Sequence, residues 1–268
     1  MSAGPSLRER QENALRARAE RGALLVVDVQ RSFADPEFLA EYGLSRRELA
    51  SLAGAVEQCA LAVTRAREAG IPVVWVELES APDSHWRASS WLNLGDPAAP
   101  LLNAPCVSGT AGAEWFALSP EPEEIRIVKR RYSGFAGTPL AAKLREAGVE
   151  WVSVAGLTTE CCVAATAFDA FQHDFSVVVL SDATAAYSAD LHDSALTALG
   201  LNAGLVMSTD EVAHRLGVAT KTVYRLIDRG ELRAFRIGRV IRLKSGDVEA
   251  YEASCEIRPG SLGHLHLP

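Results

Sequence analysis

The chain has 268 residues, 48 % of them hydrophobic, and a formal net charge of −7, which is enough for one α/β core or for a core with a small appended module. Its five cysteines (Cys59, Cys106, Cys161, Cys162 and Cys255) form neither paired C-x-x-C motifs nor histidine-associated clusters, which argues against a zinc ribbon or a disulfide framework. No apolar stretch approaches the roughly 20 residues of a membrane helix, and the charged start lacks a secretion-type apolar segment, so a reduced, cytoplasmic protein is expected.

In chain order, six short apolar runs read as strands: ALLVVDV (23–29), IPVVWVEL (71–78), IRIVK (125–129), WVSVAG (151–156), FSVVVLSD (175–182) and AGLVMS (203–208). Between them, residues 46–69, 139–147, 160–172 and 190–199 show helical spacing. Near-continuous apolar strands alternating with helices predict a parallel sheet covered on both faces, a doubly wound six-stranded α/β domain. Residues 80–124 are rich in Pro, Gly, Ser and Trp and too long for a plain connection, so they are expected to wall a binding site.

Charge marks a boundary. Residues 1–206 carry 17 basic against 26 acidic side chains, a net −9, whereas residues 208–244 carry 9 against 4, a net +5. The expected organisation is an acidic body over 1–206, a basic module over 207–258 and a tail over 259–268.

In open parallel sheets ligands bind beyond the carboxyl ends of the strands, where the strand order reverses. Asp28 closes the first apolar run, Lys129 closes IRIVK, and Cys162 lies just past WVSVAG at a helix start. Taken singly, each has an ordinary explanation: a loop-capping Asp, a solvated Lys, a core Cys. Together they place a carboxylate, an ammonium and a thiol at one sheet edge, a set suited to nucleophilic catalysis.

Three blocks, ALLVVDVQRSF, VKRRYSGFAGTPLAAKLREAGV and VAGLTTECCVAATAFDAF, resemble in order and spacing the motifs of the isochorismatase-like cysteine hydrolases, over roughly residues 20–207. These include nicotinamidases, N-carbamoylsarcosine amidases and ureidoacrylate amidohydrolases. The resemblance implies a Rossmann-like sheet ordered 3-2-1-4-5-6, a homo-oligomer and a catalytic set of Asp28, Lys129 and Cys162 working without a cofactor. It also separates the adjacent thiols, because the family nucleophile directly precedes Val in G-x-x-T-x-x-C-V, here Gly156, Thr159, Cys162 and Val163. It further implies a non-proline cis peptide at Leu157 and Thr158, and an oxyanion hole from the N–H groups of Thr158 and Cys162.

The sequence also departs from the family. Nicotinamidases carry a metal-binding Asp-x-His directly after the second strand, where this chain has Glu77, Leu78 and Glu79. The Asp-x-His nearest that strand, Asp83 to His85, comes later, and the next histidine is His173, so no metal is expected. Trp86, Trp91 and Trp115, with Tyr132 and Phe135, are candidate pocket walls for a flat or apolar group, while Glu77, Glu79 and Asp83 are candidates to meet a cation.

From Ser208 the text changes character. Ser208 or Thr209 caps a helix through Leu216, Gly217 turns, and residues 220–228 form a second helix; ELRAFRIGRVIRL then alternates apolar and basic residues around Gly238, as a two-stranded wing does. The segment resembles the excisionase-type, MerR-like winged helix-turn-helix domains. That resemblance implies duplex DNA as a partner, with Thr220, Lys221, Thr222, Tyr224 and Arg225 facing the major groove and Arg236, Arg239 and Arg242 meeting phosphates.

Two functions compete at this point. One is a cysteine amidohydrolase cleaving a C–N bond of a small molecule, a ureide or a lactam of the streptothricin type, with an accessory DNA-binding domain. The other is a transcriptional regulator whose hydrolase-like body senses a small molecule. The three intact reactive side chains favour the enzyme.

Overall fold

The computed structural model describes residues 5–80, 105–215, 233, 235–237 and 240–242. The chain divides into two compact units, Met1–Val218 and Ala219–Pro268.

The first unit is built on six strands, β1 (Gly22–Val27), β2 (Val73–Leu78), β3 (Ile125–Lys129), β4 (Trp151–Leu157), β5 (Ser176–Ala185) and β6 (Gly204–Met207), in the order β3-β2-β1-β4-β5-β6. Every adjacent pair is parallel. This is the order implied by the resemblance, and it puts the reversal between β1 and β4, where Val27 pairs with Gly156. Side chains of β1 alternate between two cores. Ala23, Leu25 and Val27 join one with Leu140, Leu144 and Ala167, while Leu24 and Val26 join the other with Leu52, Val56 and Val63.

The helices are α1 (Leu7–Arg16), the short α2 (Arg31–Ala34) and α3 (Pro36–Leu39), α4 (Arg46–Ala69), α5 (Leu140–Glu146), α6 (Ala164–Gln172), α7 (Ala189–Asn202) and α8 (Thr209–Arg215). The long helix α4 starts at a capping box, Ser45 with Glu48, and ends at Gly70 in the left-handed region (φ +69°). Its buried stripe, Leu52, Ala55, Val56, Cys59, Ala62, Val63 and Ala66, holds it to the sheet. Among the described residues no helix is long and apolar enough to cross a membrane.

The first unit runs past the boundary at 206 read from charge. Ser208 accepts a hydrogen bond from the Glu211 N–H at 3.2 Å and so caps α8. The Thr209 N–H and hydroxyl both donate to Asp182 Oδ1 at 2.8 Å, and Arg65 on α4 pairs with Asp210 at 2.6 Å. Val212 adds an apolar contact to the α4 core. In the second unit, β7 (Phe235–Ile237) and β8 (Val240–Arg242) pair antiparallel, Ile237 with Val240, giving the hairpin expected around Gly238.

Candidate active site

The site forms at the carboxyl ends of β1, β3 and β4. Asp28 follows β1 directly and adopts a left-handed backbone (φ +50°), which a non-glycine residue seldom does. Its N–H donates to the Val76 carbonyl of β2 at 2.8 Å, and its side chain is fully buried. Lys129, the last residue of β3, is equally buried although two strands away, and its long side chain reaches across the end of β2. Its Nζ lies 2.7 Å from Asp28 Oδ2, 3.0 Å from the Arg131 carbonyl and 3.4 Å from Cys162 Sγ. Carboxylate, ammonium and thiol therefore meet.

Cys162 stands in a π-helical turn, Thr159–Val163, between β4 and α6, rather than in the first turn of a regular α-helix. Such a turn carries one residue more per hydrogen-bonded ring and recurs at functional sites. The Leu157–Thr158 peptide is cis. The Thr158 carbonyl accepts the N–H groups of Cys161 and Val163, both at 3.2 Å, and Cys162 lies between those two in sequence.

Burial sets the charge states. It pushes the Asp28 carboxyl above its ordinary range, an effect that Lys129 and a hydrogen bond from Cys162 only partly offset. Burial alone would pull the Lys129 ammonium down, but Asp28 and Cys162 hold it above its ordinary value. The hydrogen bond with Cys161, burial and the Asp28 charge push the Cys162 thiol up, while the same bond holds Cys161 down. On titration alone Cys161 would be the readier thiolate. Contact distinguishes them the other way, because Cys162 is the thiol within reach of Lys129. Burial and the Asp28 charge thus favour the protonated thiol at Cys162 over a preformed thiolate.

The remaining predicted residues fall in different places. Tyr132 is 36 % exposed, and burial, then the Cys161 and Cys162 charges, raises its phenol. Phe135 is a core residue, packed against His173 and Phe175 with ring centroids 5.1 and 6.1 Å away, so it presents no wall to a ligand. Trp115 meets Trp75 edge-on at 4.8 Å and packs against the α4 core. Glu77 and Glu79 are already neutralised, by Arg126 at 2.8 Å and Arg130 at 3.3 Å, and so are not free to meet a cation. Trp86, Trp91, Asp83 and His85 lie outside the described residues, as do Thr220, Lys221, Thr222, Tyr224, Arg225 and Arg239. Arg236 and Arg242 are on the hairpin strands, their side chains outside the description.

Two sets of supporting contacts escaped the sequence reading, those of Gln30 and those of the motif residue Thr159. Gln30 accepts the Leu78 N–H at 2.9 Å and donates to the carbonyls of Leu78 and Ala113 at 3.0 and 2.9 Å, tying the end of β2 to the loop beyond it. The Thr159 hydroxyl, fully buried, contacts Thr184 and His192. As for a metal, no group of three His, Cys, Asp or Glu side chains among the described residues could hold one, and the two carboxylates at the end of β2 are tied to arginines. The residues there do not fit a divalent ion.

Residues 22–211 match the family model described as the isochorismatase domain, and residues 206–256 match the helix-turn-helix domain model. The chain is 33 % identical over 214 residues to the ureidoacrylate amidohydrolase RutB of Methylobacterium radiotolerans, covering 74 % of this chain and 80 % of that protein. Among solved structures, it resembles an isochorismatase family protein from Desulfovibrio vulgaris at 29 % identity and TM-score 0.62, covering 74 % of this chain and 99 % of the other. It also resembles the pyrazinamidase of Pyrococcus horikoshii in complex with zinc, at 28 % identity and TM-score 0.56, covering 70 % and 99 %.

Proposed function

The chain belongs to the isochorismatase family, and on that premise we propose that it is a cysteine amidohydrolase that cleaves a C–N bond of a small ureide-type amide through a thioester. The observation that carries this reading is the buried Lys129 ammonium, 2.7 Å from Asp28 and 3.4 Å from Cys162. Likeness to a ureidoacrylate amidohydrolase supports the ureide class over the streptothricin-type lactam. A sensor would have no use for a buried, charged set of three, which is costly to desolvate and suited to chemistry.

In the first half-reaction Asp28 takes the Cys162 proton as Sγ bonds to the carbonyl carbon, and the carbonyl electron pair moves onto oxygen. The N–H groups of Thr158 and Cys162 receive that oxyanion. As the intermediate collapses the C–N bond breaks, and Asp28 returns the proton to the departing nitrogen. A thioester remains. Asp28 next takes a proton from water, whose oxygen attacks the same carbon; the C–S bond breaks and the proton goes to Cys162, releasing an acid. Lys129 stays charged throughout and balances the negative charge as it moves between Asp28, Sγ and the intermediate.

A screen for ammonia or amine release from ureides, carbamoyl amines, nicotinamide and streptothricin-type lactams tests this reading. Turnover of a ureide is expected, and no turnover of any C–N substrate by folded protein would refute it. Activity is expected to survive exhaustive chelation, because among the described residues the end of β2 offers no free ligand set. Loss of activity with chelator, restored by zinc, iron or manganese, would overturn that expectation.

The basic module is proposed to bind duplex DNA, on the strength of its helix-turn-helix match, its local net +5 and the β7–β8 hairpin. A homo-oligomer would present paired modules to paired half-sites. In a gel shift on genomic fragments, affinity is expected to fall steeply with salt, and Arg225→Ala or Arg239→Ala should weaken binding without changing hydrolysis. Absence of any shift at low salt would leave the module a structural remnant.

A further inference from the structure

The turn that carries Cys162 is held from behind through its own Thr159 by two polar side chains from two other elements. Thr159, its first residue, is fully buried, and its hydroxyl lies 2.9 Å from Thr184 Oγ1 on β5 and 2.9 Å from His192 Nδ1 on α7. The β4–β5 ladder shifts register here, pairing Val154 with Val179 and then Gly156 with Thr184, and this irregularity brings Thr184 to the turn. His192 is half-buried and lines a surface pocket with Ser45, Arg47, Glu48 and Ser188, so one imidazole joins that pocket to the buried hydroxyl.

We propose that His192 is a positioning residue for the nucleophile, holding the Cys162 turn in register through the Thr159 hydroxyl. A hydroxyl has one hydrogen, so Thr159 donates to one neighbour and accepts from the other, and the direction of the chain depends on what His192 Nδ1 offers. Burial holds the imidazole below its ordinary value, and the neutral ring can accept at Nδ1. The charged groups around it are Asp193 on its own helix, Glu160 on the nucleophile turn, and Arg47 and Glu48 on α4. Protonation turns Nδ1 into an obligatory donor and reverses the chain. Without the imidazole, Thr159 loses a buried partner and the turn is free to shift, taking Sγ out of reach of Asp28 and Lys129.

This inference rests on Cys162 being the nucleophile, and alkylation of the full chain by iodoacetamide, mapped by mass spectrometry, separates the two claims. In the wild type, alkylation is expected at Cys162, where Asp28 can take the thiol proton, as well as at the more exposed Cys161. Modification at Cys161 alone would sink the nucleophile assignment and this proposal with it. With Cys162 confirmed, His192→Ala and Thr159→Val should slow its alkylation about tenfold or more near pH 7, whereas His192→Asn, whose amide can sit where Nδ1 lies, and Thr159→Ser stay within about threefold. The wild-type rate should also show a step below about pH 6.5 that His192→Asn lacks, a change that a purely space-filling ring would not produce. Wild-type rates in both His192→Ala and Thr159→Val would overturn the proposal, as would a pH step that persists in His192→Asn. Should His192→Ala fail to fold, the Thr159→Val, Thr159→Ser and His192→Asn rates decide it.

Discussion

Replacing Cys162 with Ala is expected to reduce hydrolysis to background, while Cys161→Ala keeps most of it. The two thiols are adjacent in sequence, and titration alone favours Cys161 as the thiolate, so position has to decide between them. Geometry does: Cys162 is buried with Lys129 3.4 Å from its sulfur, whereas Cys161 lies partly exposed on the preceding position of the turn. Removing the nucleophile takes away the covalent route altogether, which typically costs at least ~10³-fold in turnover. Steady-state rates of both variants on whichever substrate the screen returns, with thermal unfolding as a control on folding, are the measurement. Comparable loss in the two would undo the assignment.

The second large effect concerns the charge that drives proton transfer. Asp28→Asn keeps the shape but offers no base, and about a hundredfold to ten-thousandfold loss in turnover is expected. Lys129→Ala should also lower turnover by about a hundredfold or more, and it should move the pH dependence in a defined direction. The active form needs Asp28 ionised, so activity falls as pH drops through the Asp28 value, which burial has already raised above the ordinary carboxylate range. The Lys129 ammonium lowers that value. Taking it away raises it further, so the acid limb of kcat/KM in Lys129→Ala should lie at higher pH than in the wild type. An unmoved limb, or full activity in Asp28→Asn, would contradict the mechanism.

Much of this site could be read before any coordinates, because strand ends are legible: an apolar run that stops at Asp28 or Lys129 names the residue at the sheet edge. The strand order and the choice of Cys162 came from block resemblance, since periodicity alone cannot say which strands are neighbours or which of two thiols faces inward. What stayed hidden has physical reasons. Helix α1 buries only Glu12 and Leu15, so it shows no apolar stripe. Glu77 and Glu79 look like exposed anions until their arginines arrive from β3 and the residue after it. Phe135, near Lys129 in sequence, turns into the core because the chain bends at Gly134, where a Cβ would stand 2.9 Å from Val76. His192 sits 33 residues from Thr159, and only the fold brings a surface helix to the back of the turn.

One glycine has a reach beyond its own backbone. At Gly156, with φ +121°, a Cβ would lie 1.9 Å from the Val27 carbonyl oxygen, so β1 and β4 close on each other with no room for a side chain. Val27 is the residue before Asp28, and Gly156 lies shortly before the turn that carries Cys162. The contact therefore works as a ruler, setting the gap between base and thiol by the thickness of two backbones. Any side chain at that position would widen the gap from within the sheet, and a library of variants would score the glycine as an active-site residue although it touches neither substrate nor proton.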